Sequence, residues 1–347
     1  MRADYERATV LTRGARGHLD GAPFTLAGRT CVEARRGAIW SEWRMRFDDG
    51  RTLFLVEAAG TFTVYEEGSL SPAFDAVAVG APLDTGYVVI ARGEARRVAA
   101  WGDVEAAPSR YAYVELSSRS GAAATIDFGA PPPPGPAGAG ARPRVYLGRR
   151  VNLAALGLTA TSAASPWLVP APDVSRPKGV EAWLDVGDEG ELDGVRFRVV
   201  GVLSRSLVAA SAKERVSWEE YLLFAPEIGL RWLVVLAGHW SLVEPIDAGR
   251  VAEGAGGAVV LDGVVYEGAS AGAARVDWAT GALPWQVAVG DTSNVADFVH
   301  APCVLTKEWT ADELTWSRGT HVTPDVIAKA FAKRSLPKPE GRAPHEP

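Results

Sequence analysis

The sequence predicts an all-β protein: two pseudo-equivalent small antiparallel β-barrels or rolls from one internal duplication, with a short C-terminal helix. Three observations carry this. "GHLDGAPFTLAG" (17–28) returns as "GELDGVRFRVVG" (190–201), identical at six of twelve positions. "WSEW" (40–43) returns as "WEEY" (218–221). Helical periodicity is scarce, whereas β-branched and alternating runs such as "VRFRVVGVL" (195–203) are frequent.

The elements follow in order. Leu19-Asp20-Gly21 and Leu192-Asp193-Gly194 are turn chemistry, because Asp accepts bonds from nearby backbone N–H groups and Gly adopts positive φ. The offset between copies is 173 here and becomes 178 from Trp40/Trp218, so the second copy has five extra residues in the intervening loop. It stays at 178 through Phe54/Trp232, Gly60/Gly238 and Phe62/Trp240. It returns at Leu83-Asp84/Leu261-Asp262 and at Arg97-Val98/Arg275-Val276. "AAG" (58–60) and "LAG" (236–238) mark hairpins or bulges. Each copy closes with a short run, "YLGRRVNLAALGL" (146–158) and "LTKEWTADELTW" (305–316), and a short helix is expected near Leu153–Leu156.

A first β-repeat is expected over 1–160, interrupted by the Pro/Gly-rich insertion 130–143, which reads as a long hairpin tip. A linker follows over 161–182, then a second repeat over 183–322. Closing each sheet on itself removes its edges, and this favours barrels. In the tail (323–347), Thr323 is an N-cap, Pro324 takes the first helical position, and Val326, Ile327, Ala330 and Phe331 form an apolar stripe. Disorder is expected beyond Ser335.

The period of two along a strand puts Trp40 and Glu42 on one face and Trp43 on the other. Trp218 and Glu220 are likewise opposed to Tyr221. Large aromatics on both faces predict a strand covered on both sides. A Glu beside Trp on a covered face needs a donor, and Arg51 and Arg231, just ahead of the next strand's aromatic, are the candidates. The glutamates read first as structural groups that set strand register, and otherwise as ligand-facing acids.

Composition limits the function. A net charge of −6 argues against a nucleic-acid-binding body, which needs clustered Lys and Arg. No apolar run reaches bilayer length, and the charged N-terminus has no apolar core of a signal peptide, so a cytoplasmic location is expected. Cys31 and Cys303 alone make neither a disulfide framework nor a multi-cysteine zinc site. His18, His239, His300, His321 and His345 lack the spacing that pairs imidazoles on a helix. The acidic run 185–194 misses the EF-hand pattern. No nucleophile elbow, phosphate loop or dinucleotide fingerprint is present, so no catalytic residue, metal or cofactor is assigned.

Nine of the twelve tryptophans lie from Trp167 onward. Core filling explains most of them. Trp278 and Trp285, flanking a Gly-Pro turn, are expected to be the most exposed, and could line an aromatic groove for a cation.

The recurring frame is G-x-L-D-G-x-x-F-x-x-x-G, then W-x-E-[WY], then [FW]-L leading to G-x-[FW]. It resembles domain-of-unknown-function family 4178, a family of uncharacterised bacterial proteins, over 17–158 and 190–316. Some relatives carry a Cys-rich zinc ribbon ahead of the domain; no such ribbon stands here, so no metal is carried over. The resemblance implies an association with polyamine aminopropyltransferases and with small membrane proteins of envelope stress. The function expected first is a non-catalytic tandem module that binds a partner protein in an envelope-stress or polyamine-linked system. The alternative is a binding protein for a small polyamine-like cation, and a hydrolase with an unrecognised site comes third.

Overall fold

The computed structural model describes residues 5–6, 8–70, 78–83, 85–104, 109–129, 143–160, 168–208, 216–226 and 228–346, Arg35 by its backbone only. The chain divides into two compact units, Met1–Leu168 with Pro226–Gly229, and Val169–Ala225 with Leu230–Pro347. Each is an antiparallel barrel.

In the first, a short β1 (Arg16–Leu19) turns into β2 (Ala22–Ala34), and β3 (Ile39–Phe47), β4 (Thr52–Ala58) and β5 (Thr61–Gly68) continue the meander. A second meander runs through β6 (Tyr87–Gly102), β7 (Arg110–Ser118), β8 (Ala123–Asp127) and β9 (Arg144–Val151). β5 pairs with β9, and β2 pairs with both β3 and β6, so eight strands close into a ring. Residues 130–142, the core of the Pro/Gly insertion, lie between β8 and β9 and outside the described residues, as does Asp84.

The second barrel repeats the plan. β11 (Glu189–Leu192) leads into β12 (Val195–Leu207), β13 (Ser217–Ala225), β14 (Gly229–Leu236) and β15 (His239–Ile246). β18 (Val264–Leu283), β19 (Thr292–His300), β20 (Cys303–Trp309) and β21 (Leu314–Val322) form the return meander, and β12 pairs with β18 to close the ring. Two small strands, β16 (Val251–Glu253) and β17 (Val259–Leu261), extend β18 as a hairpin.

The irregularities repeat as well as the strands. Bulges fall between Leu26 and Gly28 and between Val199 and Gly201, and again between Cys31 and Val32 and between Ser204 and Arg205. Asp20 and Asp193 both have φ 51° before a positive-φ glycine, the type I′ geometry that suits a two-residue hairpin. A Cβ on Gly28 would stand 2.0 Å from the carbonyl oxygen of Asp103, and one on Gly201 2.4 Å from that of Ala282. Glycine is required there because the backbone of the closing strand comes that near.

Register corrects two sequence pairings. Gly28 faces Gly102 and Val32 faces Arg97; Gly201 faces Gly281 and Arg205 faces Val276. On this strand the offset is therefore 179, and Arg97 corresponds to Val276 rather than to Arg275. The closing runs shift too: Tyr146, opposite Thr125, corresponds to Ser317, opposite Thr306. A short 3-10 turn, Ala154–Leu156, packs Leu156 against Gly17, and the helix Pro324–Ala330 brings Phe331 against Gly190 in the same way. Ile327 and Phe331 are buried, each worth about 1.5–3 kcal/mol of apolar transfer.

Residues 335–346 differ from the expected disorder. The amide of Glu340 donates to Ala237 O at 2.9 Å, and His345 meets Ser241 Oγ at 2.8 Å. Part of the stretch expected as linker also packs on the second barrel: β10 (Val169–Pro170) pairs with β18, and the Ala171 amide donates to the Gly281 carbonyl at 2.8 Å.

Candidate binding site in the first barrel

Cross-strand partners share a face, so register sorts inward from outward side chains. In the first barrel one set is Val32–Trp40, Thr30–Glu42–Val56, Arg44–Phe54–Tyr65 and Tyr113–Asp127–Arg144. Members of this set, together with Arg97 on β6, which faces Val32, come from all eight ring strands and line a cavity of about 110 Å³. A cavity touched by every strand of a ring is its lumen. The opposite set, with Trp43, Met45 and Leu55 essentially fully buried, faces outward under covering segments.

That cover explains the second aromatic of the motif. Trp43 Nε1 donates to Glu57 Oε2 at 3.0 Å, and Glu57 also receives Thr9 Oγ1 and the Val10 amide from the N-terminal segment. Arg29 lies over the rings of Trp43 and Trp101 and donates to the carbonyls of Glu6 and Ala8. In the second barrel Tyr221 is fully buried and stacks on Trp240.

Glu42 and Glu220 occupy equivalent inward positions, each beside its tryptophan. Trp40 Nε1 donates to Glu42 Oε1 at 3.2 Å, and Trp218 Nε1 to Glu220 Oε1 at 2.6 Å. Their cationic neighbours are not the arginines expected. Arg51 pairs with Asp49 on the surface, and Arg231 donates to the carbonyl of Leu230. Instead Arg205, 7% exposed, lies between Glu220 at 3.3 Å and Glu308 at 2.8 Å, with Ser293 at 2.6 Å. In the first barrel Arg97 meets Asp127 at 3.5 Å, with its guanidinium 4.2 Å over Tyr111. The Tyr111 hydroxyl donates to Glu42 Oε1 at 3.2 Å.

Register makes Asp127 the equivalent of Glu308, and Val32/Arg97 the equivalent of Arg205/Val276. Both lumens thus hold an acid, an arginine and an acid, but the arginine comes from opposite strands of one pair. Sequence comparison missed this because Arg97 aligned with Arg275 in a register off by one. The available signal was Arg205 itself, a lone charge in the apolar run "VVGVLSRSL" (199–207).

The electrostatics follow from burial. Desolvation raises both Glu42 and Glu220 above the ordinary carboxylate range, and the arginines offset this only in part. Glu308 is held below that range, because the attraction and hydrogen bonds of Arg205 outweigh its desolvation. Both bonds to Glu42 land on Oε1, while the residue as a whole lines the cavity.

Trp278 and Trp285 are not brought together as a groove. Trp278 is only 6% exposed, contrary to expectation; its Nε1 donates to Val174 O at 3.0 Å, and Arg176 lies over its ring. The β18 strand hides it beneath the segment that precedes the barrel. Trp285 is half-buried and tilts against Trp232 at 6.3 Å.

Residues 185–324, the second barrel, match the family described as Domain of unknown function (DUF4178). The first barrel, which lies outside this match, has the same strand order and bulges. Neither a curated protein nor a solved structure matches the chain. Among the described residues, no helix is long and apolar enough to cross a membrane.

Proposed function

We propose that the protein binds a small ligand in the lumen of its first barrel, and that the ligand is a short organic cation with an apolar body. The observation that carries this is the hollow itself, lined by aromatic side chains around a buried carboxyl that its neighbours compensate only in part. A cavity of about 150 Å³ suffices for benzene, so about 110 Å³ suits a molecule of a few heavy atoms. Trp40, Phe54, Tyr113 and Tyr146 offer π-faces to an apolar body or an ammonium group, and Glu42 offers the counter-charge. Arg44, Arg97 and Arg144 share the wall. Asp127 and Glu115 line it too, and a cavity of this size disfavours a long polyamine because the chain exceeds it.

The experiment is a calorimetric titration of the full chain with n-butylamine, putrescine, spermidine and, as the neutral control, n-butanol. Saturable binding of butylamine, weaker binding of spermidine, and loss of both in Glu42→Gln and in the lumen-filling Thr30→Trp are expected. Absence of saturation for every probe up to millimolar concentration overturns the reading. A second reading, docking of a protein partner, is supported by Val264 and Val265, consecutive in β18 and 37% and 47% exposed on the hairpin with β17. A cytoplasmic location in a bacterial cell belongs to the same proposal, supported by Cys31 and Cys303 being free thiols.

A further inference from the structure

The mouth of the second barrel carries a histidine cluster that the ligand reading does not use. His239 and Ser241 on β15 continue the inward set of Val243, which pairs with Trp232 as Tyr65 pairs with Phe54. His321 on β21 pairs with Ser241 and joins the same face. The C-terminal tail crosses this mouth. Lys338 lies against Gly238, where an added Cβ would stand 2.5 Å from the Lys338 carbonyl oxygen. Glu340 bonds through its amide to Ala237 and through its carbonyl to His239 Nε2, at 2.9 and 3.3 Å. His345 then enters, with Nε2 2.8 Å from Ser241 Oγ and its ring 5.6 Å from that of His321, while His321 is 6.3 Å from His239. Ala343 is buried beside it. The first barrel has Thr61, Thr63 and Arg150 at these positions, so the cluster belongs to the second barrel alone.

We propose that residues 338–346 form an acid-released stopper, held in the second barrel's mouth by neutral His345 and expelled when the histidine cluster takes up protons. Three imidazoles packed this closely cannot all be charged without mutual repulsion. Among the described residues, no set of three or more His, Cys, Asp or Glu is arranged to hold a metal ion. Around His345 the groups are mixed. His239 and His321 oppose its protonation, whereas Asp297 from β19 and Glu346 from the tail favour it. Glu346 Oε2 also stands 3.9 Å from the buried His239 Nδ1, which has no hydrogen-bond partner.

Burial, then His321 and His239, hold His345 below the ordinary histidine range, so burial outweighs the two acids. The sign follows. The freed tail binds a proton more readily than the docked one, so docking is complete above the free histidine value of about 6.5 and weakens as pH falls below it.

Hydrogen exchange on the full chain tests this, read as protection factors so that the intrinsic pH dependence cancels. Between about pH 7.5 and pH 5, protection of the Glu340 amide should fall about tenfold or more while the β12–β13 amides keep theirs. His345→Gln retains a partner for Ser241 without titrating, and should flatten the response. Glu346→Gln should move release to higher pH. Unchanged Glu340 protection across this range overturns the proposal, and so does a fall in His345→Gln equal to that of the wild type.

Discussion

The two barrels share strand order, bulges, hairpin turns and a Trp–Glu pair, yet they hold their inward arginine differently. In the second, Arg205 reaches two carboxylates and a hydroxyl within 3.3 Å. In the first, Arg97 lies 3.5 Å from Asp127 and over the Tyr111 ring, and about 110 Å³ stays open among the aromatic walls. What both keep is a cation between two buried acids, which these positions require on desolvation grounds. What they do not share is the strand that supplies it. The domain thus prescribes an internal charge balance and leaves the remaining lumen positions free: Arg44, Tyr111 and Arg144 stand where the second barrel has Leu222, Ser293 and Thr315.

Removing the cation gives the largest expected effect. Arg205→Met leaves Glu220 and the partly exposed Glu308 together without it, and should cost the second barrel up to about 3–5 kcal/mol. Arg97→Met should cost the first barrel less, about 1–2 kcal/mol, because it borders a cavity that water can enter. Urea denaturation followed by hydrogen exchange in each barrel would measure both. Equal losses would mean that the hollow does not soften the ion cluster.

The acids should then separate by pH. Glu308 lies below the ordinary carboxylate range, so it contributes stability that is present above about pH 4.3 and lost as pH falls through its folded value. Glu308→Gln should therefore lower stability at neutral pH and reduce its acid dependence. Glu42 has the opposite sign: it is raised, so the folded state holds its proton more tightly, and stability falls as pH rises from about 4.3 through its folded value. Glu42→Gln should be neutral or stabilising at pH 7 and flatten that fall. Parallel pH profiles for the two variants would contradict the assignment of opposite roles.

Much of the fold was legible because turns and aromatics are local signals. Asp20-Gly21 and Asp193-Gly194 announce hairpins through their own backbone conformations, and the period of two around Glu42 and Glu220 sorts both faces correctly. The partners of those glutamates were not legible. Arg97 and Arg205 lie 55 and 15 residues away in sequence, and the one-residue change of offset along β6 and β18 hides that Arg97 corresponds to Val276. Exposure of Trp278 was misjudged for a related reason: the segment around Val174 that covers it comes from more than a hundred residues earlier. Its Pro-rich, polar composition predicts a disordered tail, and that says nothing of a histidine that meets His321, itself against His239, across a barrel mouth.

The smallest expected effect is also the sharpest test of the comparison. If Val32/Arg97 and Arg205/Val276 are one pair written in two orders, the order should be exchangeable within a barrel. In the second barrel, Val276→Arg alone adds a second guanidinium beside Arg205, and Arg205→Val alone leaves two acids without their cation. Each single change should destabilise by several kcal/mol, about 3–5 for the second. The double change restores one arginine facing Glu220 and Glu308 from β18, as Arg97 faces Glu42 and Asp127 from β6. Its net cost should be about 1 kcal/mol or less, so the coupling between the two positions should exceed about 2 kcal/mol in a double-mutant cycle. Additive losses would show that the arginine's strand of origin matters, and that the two lumens solve the buried-charge problem in unrelated ways. A near-neutral swap would also separate two causes of the hollow. If the exchanged second barrel gains butylamine binding, the open space follows from presenting the arginine on the closing strand. If it gains none, the hollow comes from the surrounding aromatic wall, with Tyr111 in place of Ser293.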